Sequence, residues 1–179
     1  MNKFTFYTEK NASAEVQAIF SDIQKTYGFI PNLFAYMAEA PTTLKAYLNL
    51  NELVSKTSFS PAQQQLALLS VSVENECGFC SVAHQAIGKM KKASEQSIQS
   101  IVNQTEIEDE SDRALVSFVR TINQTRGNPG EQAIEAFLNA GFSKQQILEV
   151  VLIVAIKTLS NYINHMTLPE PNQELLNMI

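Results

Sequence analysis

The segment Cys77-Gly78-Phe79-Cys80-Ser81-Val82-Ala83-His84 holds both cysteines of the chain and one of its two histidines. A thiolate is a nucleophile and a reductant, and an imidazole within reach takes or holds its proton, so this is the pattern of a redox site. On an α-helix Cys77, Cys80 and His84 fall on one stripe, because seven residues come within about 20° of two full turns. The expected chemistry is a dithiol that cycles through a disulfide. A helix N-terminus would lower the thiol pKa, Gly78 would let a substrate or partner approach the backbone, and His84 would take the Cys80 proton or hold it as an ion pair.

Other chemistries use the same residues. Zinc would take Cys77, Cys80 and His84, with His165 or a carboxylate as fourth ligand, although structural zinc sites usually draw a second ligand pair from a separate knuckle. A thioredoxin-like site would need strands around Cys-Gly-Phe-Cys, and the chain supplies none convincingly. The plainest alternative is a pair of small buried thiols beside a satisfied core histidine.

Positioning such a site takes a core, and 179 residues suffice for one domain without covalent staples. The chain reads as a single domain over 1–179, with 1–30 as an N-terminal helical extension. Two cysteines three residues apart close too short a loop to restrain a fold, which favours chemistry over reinforcement. A net charge of −5, with Lys89 to Lys92 as the one basic knot, argues against nucleic acid or an anionic membrane surface as partner. No run of eighteen apolar residues and no signal-peptide pattern are seen, so the expectation is a cytoplasmic protein with no membrane contact. In that reducing compartment Cys-x-x-Cys points to a transient disulfide or a metal.

The elements read as helix throughout. Val16, Ile19, Phe20, Ile23 and Tyr27 recur at helical spacing after a cap at Asn11 or Ser13, and Gly28 closes the run. A short helix over 33–39 and a longer one opening at Pro41 follow. Ser60-Pro61-Ala62-Gln63 has the form of a capping box leading toward the cysteines. Further caps are expected at Ser94, Ser111 and Ser143, the last opening the apolar run Ile147 to Ile163; Leu66 to Val73 is ambiguous between strand and helix. The fold expected is all-α, a compact bundle of about seven to nine helices with the cysteine motif at the start of a central one. Phe59-Ser60 leading to His84 and Phe142-Ser143 leading to His165 hint at a duplicated helical hairpin, the second copy carrying Thr158 and Asn161 in place of the cysteines. Tyr27, Phe34, Tyr36 and Tyr47 are candidate pocket aromatics that also suit a core, and Asn161, Asn164 and His165 are candidates to face the site from the last helix.

The stretch from Ser60 to His84, with Cys-x-x-Cys-x-x-x-His at its end, resembles the core motif of the AhpD-like alkylhydroperoxidases within the carboxymuconolactone decarboxylase family. Ser160-Asn-Tyr-Ile-Asn-His165 with Pro169 is similar to the closing helix common there. The resemblance implies an all-helical trimer or hexamer that reduces hydroperoxides with electrons from an external dithiol, without a cofactor or metal. By position it implies Cys80 as peroxidatic thiol, Cys77 as resolving thiol and His84 as relay base. The decarboxylase branch generally lacks the cysteine pair. Twelve residues before Cys77 the family often has a relay glutamate, and here that position is Gln65; an amide orients a histidine but takes no proton. Glu74 and Glu76 are the candidate substitutes, or first-turn glutamates that favour the helix dipole. Phe79 would pack or form an apolar lip for organic hydroperoxides. The alternatives carried forward are a disulfide reductase that never meets peroxide, a lactone decarboxylase, and a helical oligomer with a zinc or redox-sensing site.

Overall fold

The computed structural model describes residues 3–179. Among the described residues there are ten helices and no strand: α1 (Ala14–Tyr27), α2 (Asn32–Met37), α3 (Pro41–Ser55), α4 (Pro61–Glu74), α5 (Gly78–Met90), α6 (Glu95–Asn103), α7 (Glu110–Thr125), α8 (Glu131–Asn139), α9 (Lys144–Thr167) and α10 (Gln173–Leu176). The all-α expectation holds.

The helix boundaries follow local chemistry. Ser13 caps α1 by accepting from the Val16 N–H, and Gly28 ends it in the left-handed region at φ 79°. Ser60 and Ser143 each make a full capping box, with Gln63 and Gln146 returning the bond. The cap of α7 differs from expectation. Asp109, not Ser111, accepts from the Asp112 N–H, so the helix opens two residues earlier.

α4 is the central element, packed against α5, α6, α7 and α9. Every residue from Leu66 to Ser72 is buried. A helix covered on all sides loses the polar face that marks its period, which is why this stretch was ambiguous as sequence. The main core joins Phe20, Leu44, Val71, Leu115, Ile153 and Ile156. A second cluster, with Leu66, Leu69, Ile98, Ile101 and Val116, fills the wedge between α4, α6 and α7. Each such side chain contributes about 1.5–3 kcal/mol of burial. Val16, Phe20 and Ile23 of α1 belong to the main core.

Two helices carry too little pattern to be read from sequence. α8 is anchored by Phe137 alone, whose ring stacks 4.3 Å from both Phe118 and Phe142. α10 buries only Leu175. The duplicated hairpin is not reproduced. Phe59 and Phe142 do meet, with ring centroids 6.0 Å apart, but the first block breaks into α4 and α5 whereas the second runs as the unbroken α9.

α9 is also long and apolar enough, by length and composition, to cross a membrane. In this fold it packs against α2, α3, α4, α5 and α7, and Lys157, Ser160, Asn161 and Asn164 lie on its buried face.

Candidate active site

The site begins where α4 stops. The Glu76 N–H bonds the Val73 carbonyl at 2.9 Å and the Cys77 N–H bonds the Ser72 carbonyl at 2.9 Å, the paired bonds of a Schellman motif. Glu76 takes the left-handed position at φ 55°, where glycine is usual. The chain thereby reverses within three residues and starts α5 with Cys77 as N-cap in extended conformation. Cys80 is the third residue of α5, among the free N–H groups of a first turn. Gly78 is exposed, and a Cβ there would meet nothing within 4 Å, so neither strain nor crowding demands a glycine.

Both cysteines are reduced and buried. The Cys77 S–H donates to the Cys80 sulfur, and this bond is the largest influence drawing the Cys80 thiol well below its usual range. Burial opposes it. The positive charge of Lys157 and the nearness of the Asn161 amide add to the lowering. Cys77 moves up, first because it gives that bond, then through burial and the neighbouring Cys80 charge. The two directions agree in favouring a shared proton on Cys77 and the charge on Cys80.

The expected direct pairing of His84 with Cys80 is not what the structure shows. Lys157 Nζ stands 2.9 Å from His84 Nε2, and His84 Nδ1 stands 2.9 Å from Gln65 Oε1. An ammonium only donates, so Nε2 accepts and the ring proton sits on Nδ1, donated to the Gln65 amide oxygen. Both ring nitrogens are thus engaged. Burial first, and then the Lys157 charge, holds His84 well below the usual histidine range, so the ring is neutral. α5 can lie this close to α4 because Gly88, one turn past His84, faces Ile98 and Gln65, where an added Cβ would come within 3.3 Å of Ile98 Cδ1.

Lys157 is 1% exposed, and none of the ion pairs among the described residues includes it. A buried cation needs an anion or it is strongly destabilising, and Cys80, whose thiol the Lys157 charge helps to lower, is the group placed to supply one. Sequence reasoning passed over Lys157. Its signal is a single cation within the apolar run of α9, four residues before Asn161 and seven before Asn164, on one helical face.

Asn161 lies beside Cys80, and Asn164 Nδ2 donates to Cys80 Sγ at 3.2 Å. His165, one residue further and about 100° round the helix, is exposed and does not join them. Glu74 is spent on α7, with its carboxylate 3.5 Å from Arg120 Nε and hydrogen-bonded by Gln124 at 2.6 Å. Glu76 is exposed and lies in the turn, so neither glutamate stands in the first turn of α5. Phe79 is buried in the main core, as is Tyr47. The Tyr47 hydroxyl is pushed up by burial and then by the Cys80 charge, which places it near the thiolate as a neutral phenol. Among the described residues no group of three or more His, Cys, Asp or Glu side chains is disposed to hold a metal.

The family model of the carboxymuconolactone decarboxylase family matches residues 41–120, a span that contains Gln65, both cysteines and His84. Over that span, a little under half of the chain, the sequence is similar to this family. The matched span ends before α9, so Lys157, Asn161 and Asn164 lie outside it.

Solved structures agree over nearly the whole length. An uncharacterized peroxidase-related protein with an alkylhydroperoxidase AhpD core, from Ralstonia eutropha JMP134, has a TM-score of 0.86 at 20% identity, covering 98% of this chain and 95% of that one. An uncharacterized peroxidase-related protein from Silicibacter sp. TM1040 gives 0.81 at 19% identity, covering 97% and 92%. The debrominase Bmp8, a cysteine-to-alanine variant in complex with 2,3,4-tribromopyrrole, gives 0.78 at 16% identity, covering 99% and 96%. At these identities the likeness is one of fold. No functionally curated protein matches the sequence.

Proposed function

We propose that this protein is a thiol-dependent hydroperoxide reductase that cycles through a Cys77–Cys80 disulfide and draws its electrons from an external dithiol. The observation that carries the reading is the buried Lys157 near Cys80, with the Cys80 thiol drawn down and the Cys77 thiol pushed up beside it. The resting state is therefore one nucleophile and one protonated partner. That is the division of labour a resolving cycle needs.

The Cys80 thiolate attacks the terminal oxygen of a hydroperoxide. The S–O bond forms as the O–O bond breaks, sulfur loses two electrons, and the departing alkoxide takes a proton from the Lys157 ammonium to leave as an alcohol. The Cys77 thiol then attacks the Cys80 sulfenic acid, giving the disulfide and water. A dithiol donor returns two electrons and two protons, one proton to Cys77 and one to Lys157. His84 acts through Lys157: its neutral Nε2 accepts from the ammonium and aims it, and Gln65 holds the tautomer that makes this possible. An amide suits that duty, since a glutamate there would favour an imidazolium against the neighbouring ammonium.

The chain acts as a single domain, within a homo-oligomer in the cytoplasm, where reduced thiol pools sustain the cycle. The outer face of α9 supports the assembly, because Leu148, Val151, Tyr162 and Met166 recur there at helical spacing and are exposed.

The test is turnover. Purified protein with dithiothreitol should consume cumene hydroperoxide catalytically, and Cys77→Ser and Cys80→Ser should each abolish turnover. Protein that exchanges readily with a small disulfide but leaves the hydroperoxide untouched is a disulfide reductase, and the peroxide reading is then wrong.

A further inference from the structure

We infer that Asn161 and Asn164 form a subsite that grips the hydroperoxide group itself, with one amide giving and the other taking a hydrogen bond; this rests on the peroxide reading above. Both side chains are at least nine-tenths buried, and both leave a polar atom without a protein partner: Nδ2 of Asn161 and Oδ1 of Asn164. Orphaned buried polar atoms are rare in folded proteins, and two on one helix face, beside the same sulfur, call for a ligand.

The orientation of Asn161 is fixed from a distance. Asn123 Nδ2 on α7 donates to Asn75 Oδ1 at 2.9 Å, and Asn75 Nδ2 donates to Asn161 Oδ1 at 3.0 Å. With its oxygen taken, Asn161 presents its N–H groups to Cys80. Asn164 is fixed the other way. Its Nδ2 donates to the Ser160 carbonyl at 2.8 Å and to Cys80 Sγ at 3.2 Å, which leaves its oxygen as the free group. The two amides thus offer one unspent donor and one unspent acceptor beside Cys80.

A hydroperoxide is the complement, since it carries one O–H donor and two oxygens with lone pairs. Its O–H donates to Asn164 Oδ1, which holds the terminal oxygen over Cys80 Sγ. Its inner oxygen accepts from Asn161 Nδ2. As the O–O bond breaks, the inner oxygen becomes the alkoxide, so the Asn161 bond strengthens where charge develops, before Lys157 delivers the proton. A disulfide has no O–H for Asn164 and builds no charge on oxygen, so the subsite favours hydroperoxides over disulfides.

The test compares two reactions of the same thiolate in reduced, full-length protein: oxidation by tert-butyl hydroperoxide and alkylation by iodoacetamide. Both are measured at a pH where alkylation has reached its plateau, so that changes in thiol pKa drop out. Asn161→Leu and Asn164→Leu should each slow oxidation about 10- to 100-fold while alkylation stays within about threefold. Asn75→Ala, which lies outside the reacting atoms and frees the Asn161 amide to turn, should slow oxidation about three- to tenfold and leave alkylation alone. If the two rates fall in parallel, or their ratio is unchanged, in all three variants, the subsite is refuted while the peroxide reading survives. If wild-type protein alkylates normally but ignores the hydroperoxide, the peroxide reading falls and the subsite with it.

Discussion

Lys157 Nζ and His84 Nε2 are 2.9 Å apart, and that contact decides which group carries the positive charge at the site. The ammonium can only donate, so the imidazole accepts and is neutral, and the cation facing the Cys80 thiolate is the lysine. Replacing Lys157 with methionine should therefore act on the sulfur. In wild-type protein the Cys80 pKa is lowered, so iodoacetamide alkylation should be nearly flat from about pH 7 to 9, where an ordinary thiol rises about tenfold per unit below its pKa. Lys157→Met should move the rise into the neutral range and slow alkylation at about pH 7 by about two- to tenfold, since the Cys77 hydrogen bond still lowers the thiol. An unchanged profile in the variant would remove Lys157 from the account.

His84 makes a separate prediction about stability. Its folded pKa is held down by burial and then by Lys157, whereas in the unfolded chain it is near 6.5. Below that pH the unfolded chain binds a proton the folded protein refuses. The His84 contribution is thus intact above about pH 6.5 and declines as pH falls, by at most about 1.4 kcal/mol per unit, until the depressed folded value is reached. Chemical denaturation from pH 7.5 to 5 should show the decline, and His84→Gln should flatten it. The His84 ring carbon signals should also stay constant over this range in NMR titration.

The two glutamates considered for proton relay should be dispensable. Glu76 occupies a left-handed position, so Glu76→Gly should raise stability by about 1 kcal/mol in thermal or denaturant unfolding. Peroxide oxidation should keep its wild-type rate in Glu76→Gly and in Glu74→Gln, because neither carboxylate approaches Cys80. A drop of tenfold or more in either variant would return a carboxylate to the relay.

The exposed stripe on α9 predicts assembly. Tyr162→Glu combined with Leu148→Glu should shift the protein to monomer in sedimentation velocity, with helical content retained. A wild-type protein that sediments as a monomer at micromolar concentration would leave that stripe without its proposed partner.

Spacing alone marked Cys77, Cys80 and His84, because helical period and residue chemistry agree there. The same reasoning placed the cysteines on a continuous stripe, while in the structure Cys77 is an N-cap and the thiols meet by the turn of the backbone. Lys157 escaped notice because a single charge in an apolar run reads as a surface residue until α4 and α5 are packed over it. His165 looked equivalent to Asn164, yet one residue on a helix is about 100°, enough to carry it from the core to solvent. Gln65 looked like a defect when judged against a glutamate. With an ammonium on the other ring nitrogen, an amide is the consistent neighbour. α8 and α10 left little trace because one buried anchor makes no period.

The most direct measurement of the central claim is the intact mass of reduced protein before and after one equivalent of cumene hydroperoxide, in wild type, Cys77→Ser and Cys80→Ser. The account predicts a loss of about two daltons in wild type, a gain of about 16 daltons trapped by dimedone in Cys77→Ser, and no rapid change in Cys80→Ser. Oxidation that persists in Cys80→Ser, or a wild-type mass that does not move while both thiols remain titratable, would contradict it.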